Sequence, residues 1–344
     1  MQVTERPGGT GLACVTSSSA RGRSAGRSAA GCGRRGRTRC SSRAGRSTRR
    51  CATGGCGSPA RTASSTCRSR SSTVPRRSNS PPDDVLVLAV KTQDAIAALD
   101  AWAPRPVAGG GTAAERLPLV CAQNGVEAER LALRRFRRVY GMCVFLPASY
   151  LEPGAVTVRC APYTGALNLG RYPSGADETA HRIAEGLEKA NFLVPVTSEV
   201  MRWKYAKLLG NLANAVEAVC GSQAGDAAKA LVARARAEAA EVLDAAGIDR
   251  AGDEEQRELR SGRIEVRPVE GGAPAGGSTW QSLRRGSTSV EADYLNGEIV
   301  LLGRLHGIAT PVNETLLRVA NDFARTGREP GSMTADELAA QVPR

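Results

Sequence analysis

The chain has 344 residues, enough for two domains with a core each. Its formal charge of +13 suggests a nucleic-acid partner only until it is divided by segment: residues 1–82 hold 17 Arg, no Lys and the single acid Glu5, for +16, whereas residues 83–344 hold 30 basic and 33 acidic residues, for −3. No apolar run reaches signal-peptide or membrane-spanning length, so a soluble, cytoplasmic protein without a membrane partner is expected.

The basic arm, residues 1–82, has one Leu and no Ile, Phe, Trp or Tyr, so it buries too little apolar area to offset chain entropy and is expected to form no parallel βαβ unit. Its six cysteines (Cys14, Cys32, Cys40, Cys51, Cys56, Cys67) lack metal-ligand spacing and histidines, and no metal is expected. Translation of GC-rich DNA in a shifted frame explains this composition better than a native basic tail. Written in GC-rich codons and shifted by two bases, Ser17 to Arg27 reads Val-Val-Gly-Ala-Gly-Ala-Ile-Gly-Gly-Ala, a buried strand entering G-x-G-x-x-G, the turn that presents backbone amides to a pyrophosphate. The same shift turns residues 37–57 into a second strand ending in Arg, where an NADP 2′-phosphate would be met, followed by a helix. On that reading the arm as written carries no cofactor site and replaces the start of a nucleotide-binding domain.

From Asp83 the character changes. Val85 to Val90 is a continuous apolar run ending in Lys91-Thr92-Gln93, as expected of a parallel strand buried on both faces. A helix is expected from Ala95 to Ala101, a Pro/Gly connection from Pro104 to Thr112, and a strand from Leu117 to Ala122 ending in Gln123-Asn124-Gly125, with a helix from Val126 to Arg135. Strand, polar tip, helix, repeated, is the pattern of a doubly wound α/β sheet, whose ligands bind off the carboxyl ends of strands. Lys91 and Asn124 occupy those ends; each alone reads as an ordinary loop residue, and only as a pair at two such ends do they balance that reading with a ligand site.

Further strands are expected at Val139–Leu146, Ala155–Cys160, Ala166–Leu169 and Phe192–Val196, with a helix at Ala176–Ala190 between the last two. Ser198 then reads as the N-cap of one amphipathic helix, Val200 to Ala215. On it Lys207, Asn211 and Asn214 stack by spacings of four and three on the face opposite Leu208, Leu209 and Leu212. By itself this helix reads first as a surface lysine beside two amides, and the reading as a general acid with amide partners needs support from elsewhere in the chain. The rest is helical, at 224–246, 281–283 leading into 290–306, and 312–326, with 252–277 as a long connection and 331–344 as a tail. The division is thus an arm (1–82), an α/β domain (83–197) and an all-α domain (198–330).

With these residues in place the chain resembles the ketopantoate reductase (2-dehydropantoate 2-reductase) family from about Asp83 to Arg325. The matching motifs are Val90-Lys91-Thr92-Gln93, Gln123-Asn124-Gly125, Lys207-Leu208-Leu209-Gly210-Asn211, Val290-Glu291-Ala292-Asp293-Tyr294-Leu295-Asn296-Gly297, His306-Gly307-Ile308 and Pro311-Val312-Asn313, specific as an ordered set rather than singly. The resemblance implies a Rossmann domain whose first strands and glycine turn are lost to the frame change, then a helical domain. It also implies NADP as cofactor and a small 2-oxo acid as substrate, 2-dehydropantoate reduced to pantoate in pantothenate biosynthesis; a homodimer is carried as one open assembly, since the sequence itself does not give the oligomeric state. By resemblance Lys207 protonates the developing alkoxide, Asn211 holds the substrate hydroxyl, Lys91 and Asn124 contact the cofactor with Asn124 also facing substrate, Glu291 lies near cofactor and cleft, and Ser278, with Thr279 as neighbour, binds the substrate carboxylate. The family's second helical asparagine would fall at Ala215, with Asn214 one position early, a departure that bears on the substrate. Two readings compete: a related NADP-dependent 2-oxo or β-hydroxy acid dehydrogenase, told apart by a substrate panel, and a nucleic-acid binder using the arm, told apart by salt-dependent DNA binding that vanishes on deleting residues 1–82.

Overall fold

The computed structural model describes residues 12–15, 80–151, 156–222, 225–267 and 276–343, the first of these as backbone. Its strands are β1 (Leu12–Val15), β2 (Val85–Leu88), β3 (Leu119–Cys121), β4 (Val139–Phe145), β5 (Ala148–Ser149), β6 (Thr157–Val158), β7 (Cys160–Pro162), β8 (Ala166–Arg171) and β9 (Ile264–Val266). Its helices are α1 (Ala95–Trp102), α2 (Ala113–Arg116), α3 (Ala128–Leu133), α4 (Glu178–Glu188), α5 (Val200–Asn211), α6 (Ala213–Cys220), α7 (Gly225–Ala245), α8 (Asp253–Arg260), α9 (Ser278–Arg284), α10 (Asn296–His306), α11 (Pro311–Thr326) and α12 (Ala335–Ala339), with 3₁₀ turns at Thr92–Asp94 and Glu291–Tyr294.

A Rossmann-type sheet leads and a helical domain follows. The sheet runs β1-β2-β3-β4-β8, with the first four strands parallel and β8 antiparallel to β4. The apolar run at Val85 explains the two-faced burial, since alternate side chains leave opposite faces of a strand. Leu86 and Leu88 join Leu99, Trp102, Leu131 and Ala132 on one face. Val85 and Val120 meet Ile183, Ala184 and Leu187 of α4 on the other. Each such leucine or valine contributes about 1.5–3 kcal/mol by leaving water. Asp177 starts α4 by accepting a hydrogen bond from Ala180 N at 2.9 Å, while Tyr140 Oη donates to its other oxygen at 2.9 Å.

Several expectations are corrected. Leu12-Ala13-Cys14-Val15, the one four-residue apolar run of the arm, pairs in parallel with Val85–Leu88; a single strand is not a βαβ unit, and residues 1–11 and 16–79 lie outside the described residues. The expected shifted-frame glycine turn at 17–27 and second strand at 37–57 lie outside the described residues. The Phe192–Val196 segment is not a continuous strand; it runs parallel to β8 and pairs with it at two isolated bridges, Ala166 with Leu193 and Leu169 with Val196, while Phe192 and Val194 pack in the same cluster as Leu167 and Leu169. The Ala155–Cys160 stretch forms the short β6 and β7 instead of one strand. The 252–277 connection holds α8 and β9, and the expected tail holds α12, whose Ala335 and Leu338, with Val342, complete the helical core.

The Val200–Ala215 helix is two helices, α5 and α6, separated at Leu212. The break redirects the apolar face: Leu208 and Leu212 pack with Val242, Leu243, Leu295 and Ile299, whereas Ala215, Val216 and Val219 pack in the separate core of Leu316, Val319 and Phe323. The residue preceding α5 is Glu199 rather than Ser198, and its amide is held by Thr197 Oγ1 at 3.1 Å. Entry into α5 is close to the sheet, because a Cβ on Gly170 of β8 would stand 2.2 Å from the Thr197 carbonyl oxygen.

Candidate active site

The two polar tips come together because β2 and β3 are parallel neighbours, so their carboxyl ends emerge on one edge. Lys91 follows β2 and Gln123-Asn124-Gly125 follows β3. The 3₁₀ turn Glu291–Tyr294 docks onto this edge. Gly125 is what admits it: its φ is +73°, and a Cβ there would lie 2.6 Å from the Tyr294 carbonyl oxygen.

This contact places Glu291, 4% exposed, at the β2 tip. Its carboxylate accepts from Lys91 Nζ at 2.5 Å and from the backbone amide and hydroxyl of Thr92, each at 3.2 Å. Thr92 Oγ1 also lies 3.5 Å from the Asn124 carbonyl oxygen. From the helical domain α5 directs Lys207 to the β3 tip, where Nζ donates to Asn124 Oδ1 at 2.7 Å and to the Val144 carbonyl oxygen. Lys91, Asn124, Lys207 and Glu291 therefore form one cluster across the boundary between the domains.

Burial pulls the Lys207 ammonium below its ordinary value of 10.5; Lys204 and Lys91 add to this, while Cys143 and Glu291 oppose it. The Cys143 thiol beside it is pushed up by burial. A lysine so placed gives up its proton more readily than a solvated one and already has a neutral amide oxygen as partner. Those are the requirements for a proton donor to a developing oxyanion.

Asn211 continues the Lys207 face one turn on, and its Oδ1 is buried with no hydrogen-bond partner among the described residues. Asn214 Nδ2 and Ser278 Oγ are in the same condition. Ser278 opens α9, which packs on α6; the preceding Gly277 amide donates to Glu217 Oε2 at 2.9 Å. No hydrogen bond among the described residues ties Ser278 or Asn211 to Lys207. Three unpaired buried polar atoms, on α5, α6 and α9, are costly unless a ligand or water completes them. They therefore fit a polar ligand. At the β2 tip Gln93 Oε1 is likewise unpaired, which suits a polar group of a bound nucleotide.

Some quoted motif residues serve the scaffold. Asn296 donates to Asn313 Oδ1 at 3.0 Å, and Asn313 donates to Glu238, whose carboxylate also accepts from the Val312 and Asn313 amides at the start of α11. The sequence reading missed Lys204, Glu129 and Glu217. An acid within Val126-Glu127-Ala128-Glu129-Arg130-Leu131 reads as a helix-surface charge, yet Glu129 is fully buried against Lys204. A cavity of about 800 Å³ beside Leu209, Gly210, Arg236 and Gln256 includes none of the four clustered residues.

Comparison with known proteins places this arrangement. Residues 45–174 match the profile described as "Ketopantoate reductase PanE/ApbA", and residues 199–324 match that of its C-terminal domain. The first match begins within the arm, well before Asp83. A 2-dehydropantoate 2-reductase of Archaeoglobus fulgidus is 29% identical over 208 residues, 58% of this chain and 66% of that protein, so the match spans just under two thirds of the relative. In fold, a PanE/ApbA family ketopantoate reductase from Ralstonia eutropha JMP134 superposes with a TM-score of 0.58 at 23% identity, covering 76% of this chain and 82% of that one. D-mandelate dehydrogenase, solved with NADH and anilino(oxo)acetate, superposes with a TM-score of 0.58 at 20% identity over 71% and 77% of the two chains. With both domains matched in order, the chain belongs to the ketopantoate reductase family.

Proposed function

We propose that this protein is an oxidoreductase of CH–OH groups that reduces the ketone of a small 2-oxo acid with NADPH, 2-dehydropantoate being the first candidate. The observation that carries this reading is Lys207, a half-buried ammonium with lowered proton affinity, held on Asn124 at the carboxyl edge of the sheet. NADPH, when bound, supplies the hydride. The protein's own part is the proton: Lys207 gives it to the ketone oxygen, so that ketone, hydride and proton become a secondary alcohol. Asn124 orients the ammonium. Glu291, fixed by Lys91 and Thr92, sets a buried negative charge across the cluster that keeps Lys207 charged despite its burial. Asn211 and Ser278 offer their unpaired atoms to the substrate's hydroxyl and carboxylate. Lys91 and Asn124 also face the cofactor in this reading.

The test is oxidation of NADPH, and of NADH in parallel, with 2-dehydropantoate and a panel of other 2-oxo acids. In a protein whose residues 17–82 carry the shifted frame, Lys207→Ala is expected to lower turnover by ~10²–10⁴, the range for losing a positioned proton donor. Undiminished turnover in that variant would overturn the assignment of Lys207. The arm adds a second arm to the experiment, because phosphate affinity in such domains comes from the glycine turn and helix dipole after the first strand. The chain as written is expected to bind NADPH weakly by fluorescence titration, and a version carrying the shifted frame from Ser17 to the junction before Asp83 is expected to gain both binding and turnover. Tight NADPH binding by the unaltered chain would remove the frame argument, and a restored protein inactive on every 2-oxo acid would remove the activity.

A further inference from the structure

One turn before Lys207 on the same face of α5 lies a second lysine, and it is deeply buried. Lys204 is 3% exposed and Glu129 of α3 is 0% exposed; Lys204 Nζ donates to Glu129 Oε1 and, at 3.2 Å, to the Gln123 carbonyl oxygen. The two lysines therefore grip consecutive residues of one turn. Lys204 holds the backbone of Gln123, and Lys207 meets the side chain of Asn124.

The turn needs such a hold. The last ladder bond of β3 is Ala122 N to the Leu88 carbonyl oxygen, and beyond it the Gln123 side chain, although buried, pairs neither its oxygen nor its nitrogen among the described residues. Glu129, on the helix that follows the turn, anchors Lys204 from the far side. The pair thus ties the segment before the turn, the helix after it and the helix bearing Lys207 at one point.

Stability is a poor explanation for its presence. Desolvating two charges cancels most of their attraction, and a well-packed apolar pair of similar volume commonly does as well or better. Burial raises the Glu129 carboxyl, with Lys204 pulling it back, and it pushes the Cys121 thiol next to them well up.

We propose that Lys204 and Glu129 are positioning residues for the reaction centre, fixing the Gln123-Asn124-Gly125 turn against α5 so that Asn124 receives Lys207. The charge of Lys204 has a second effect. Of the groups that face Lys207, Lys204 from its own helix and Lys91 from the β2 tip depress its proton affinity, while Cys143 of β4 and Glu291 of the 3₁₀ turn raise it. The pair thereby sets the place of the proton donor, and Lys204 of the pair also bears on its acidity. This rests on Lys207 having the role proposed above, but its test needs no turnover, so the two stand or fall separately.

Two variants of the full chain are compared with wild type: Glu129→Gln, which is isosteric, and Lys204→Met/Glu129→Leu, which removes the charges as a pair. Lys207 is followed by acetic anhydride labelling across pH with mass spectrometry, and the turn by hydrogen exchange of the peptide spanning Gln123 to Val126. In the double variant the labelling midpoint of Lys207 is expected to rise by ~1 pH unit with the loss of a like charge one helical turn away. Exchange at the turn should quicken by ~10-fold or more while the β2 peptide stays as in wild type. Glu129→Gln should quicken exchange at the turn with Lys204 still present. An unchanged midpoint and unchanged exchange in a folded double variant would overturn the proposal. Loss of the fold in both variants would also overturn it, because the pair would then be holding the domain rather than the turn.

Discussion

Replacing Gly125 by alanine probes the joint on which the cluster depends. Two costs add. The φ of +73° puts an L-residue in the left-handed region, about 1–2 kcal/mol. The new Cβ would stand 2.6 Å from the Tyr294 carbonyl oxygen, about 0.8 Å inside the 3.4 Å at which ordinary contact begins. That oxygen belongs to backbone in a 3₁₀ turn anchored by Glu291 and cannot swing aside, so overpacking adds ~1–3 kcal/mol. The sum is ~2–5 kcal/mol. Gly247→Ala separates the terms: its φ is +65°, but nothing lies within 4 Å of its Cβ, so it bears only the first cost. Urea denaturation followed by circular dichroism should give Gly125→Ala a stability loss exceeding that of Gly247→Ala by at least ~1 kcal/mol at unchanged m. In an active preparation it should also lower turnover by ~10², since a displacement near 1 Å at Asn124 misplaces the proton donor. Equal losses for the two alanines would refute the close approach, and with it the docking of the Glu291 turn on the β3 tip.

On the proposed role, in which Lys207 acts as the protonated donor, its proton affinity below the ordinary 10.5 means that the rate should fall on an alkaline limb centred below that pH; a limb at or above it in a pH–rate profile contradicts the burial argument. Glu298 of α10, 3% exposed, has its carboxyl raised from 4.5 to about 6, first by burial and then by Glu127. A raised carboxyl favours the protonated fold, so that stability is full below 4.5 and lost as pH rises through 6; Glu298→Gln should gain up to ~2 kcal/mol at pH 8 and nothing at pH 4, as read from denaturant midpoints. Asp177→Ala removes the cap of α4 and the acceptor of Tyr140 Oη, and a loss of ~1–2 kcal/mol is expected in the same assay.

Much of the α/β architecture was legible because its signals are local. Val85 to Leu88 is apolar on both faces, Lys91 and Asn124 sit where such runs stop, and neighbouring parallel strands bring those ends together without further information. Glu291 needed the pattern of the family, since nothing in Val290-Glu291-Ala292-Asp293 says which acid turns inward. The break at Leu212 was not legible: a continuous helical spacing cannot reveal that its apolar face changes from one core to another. Helix α12 had its signal, Ala335, Leu338 and Val342 at spacings of three and four, but five residues at a chain end form a helix only once they have a core to enter. In β1 four apolar residues gain order from a neighbouring strand that composition alone does not supply.

The bonds that gather the cluster also explain why its residues are scattered along the chain. Lys91 meets Glu291 across 200 positions, and Asn124 meets Lys207 across 83. Each pair joins a strand tip of the first domain to an element of the second. In the role proposed for Lys207, a proton donor built this way exists only when the two domains are docked, so its acidity and its alignment are properties of the docked state. Lys204 extends the same logic below the surface, since its partners Glu129 and Gln123 both belong to the first domain while it rides one turn from Lys207 on the second. Separating the domains would expose a buried carboxylate and release the turn that carries Asn124. On that proposed role, docking and readiness for proton transfer are one equilibrium, and a substitution that loosens the boundary should raise the proton affinity of Lys207 toward that of a solvated lysine before it unfolds either domain.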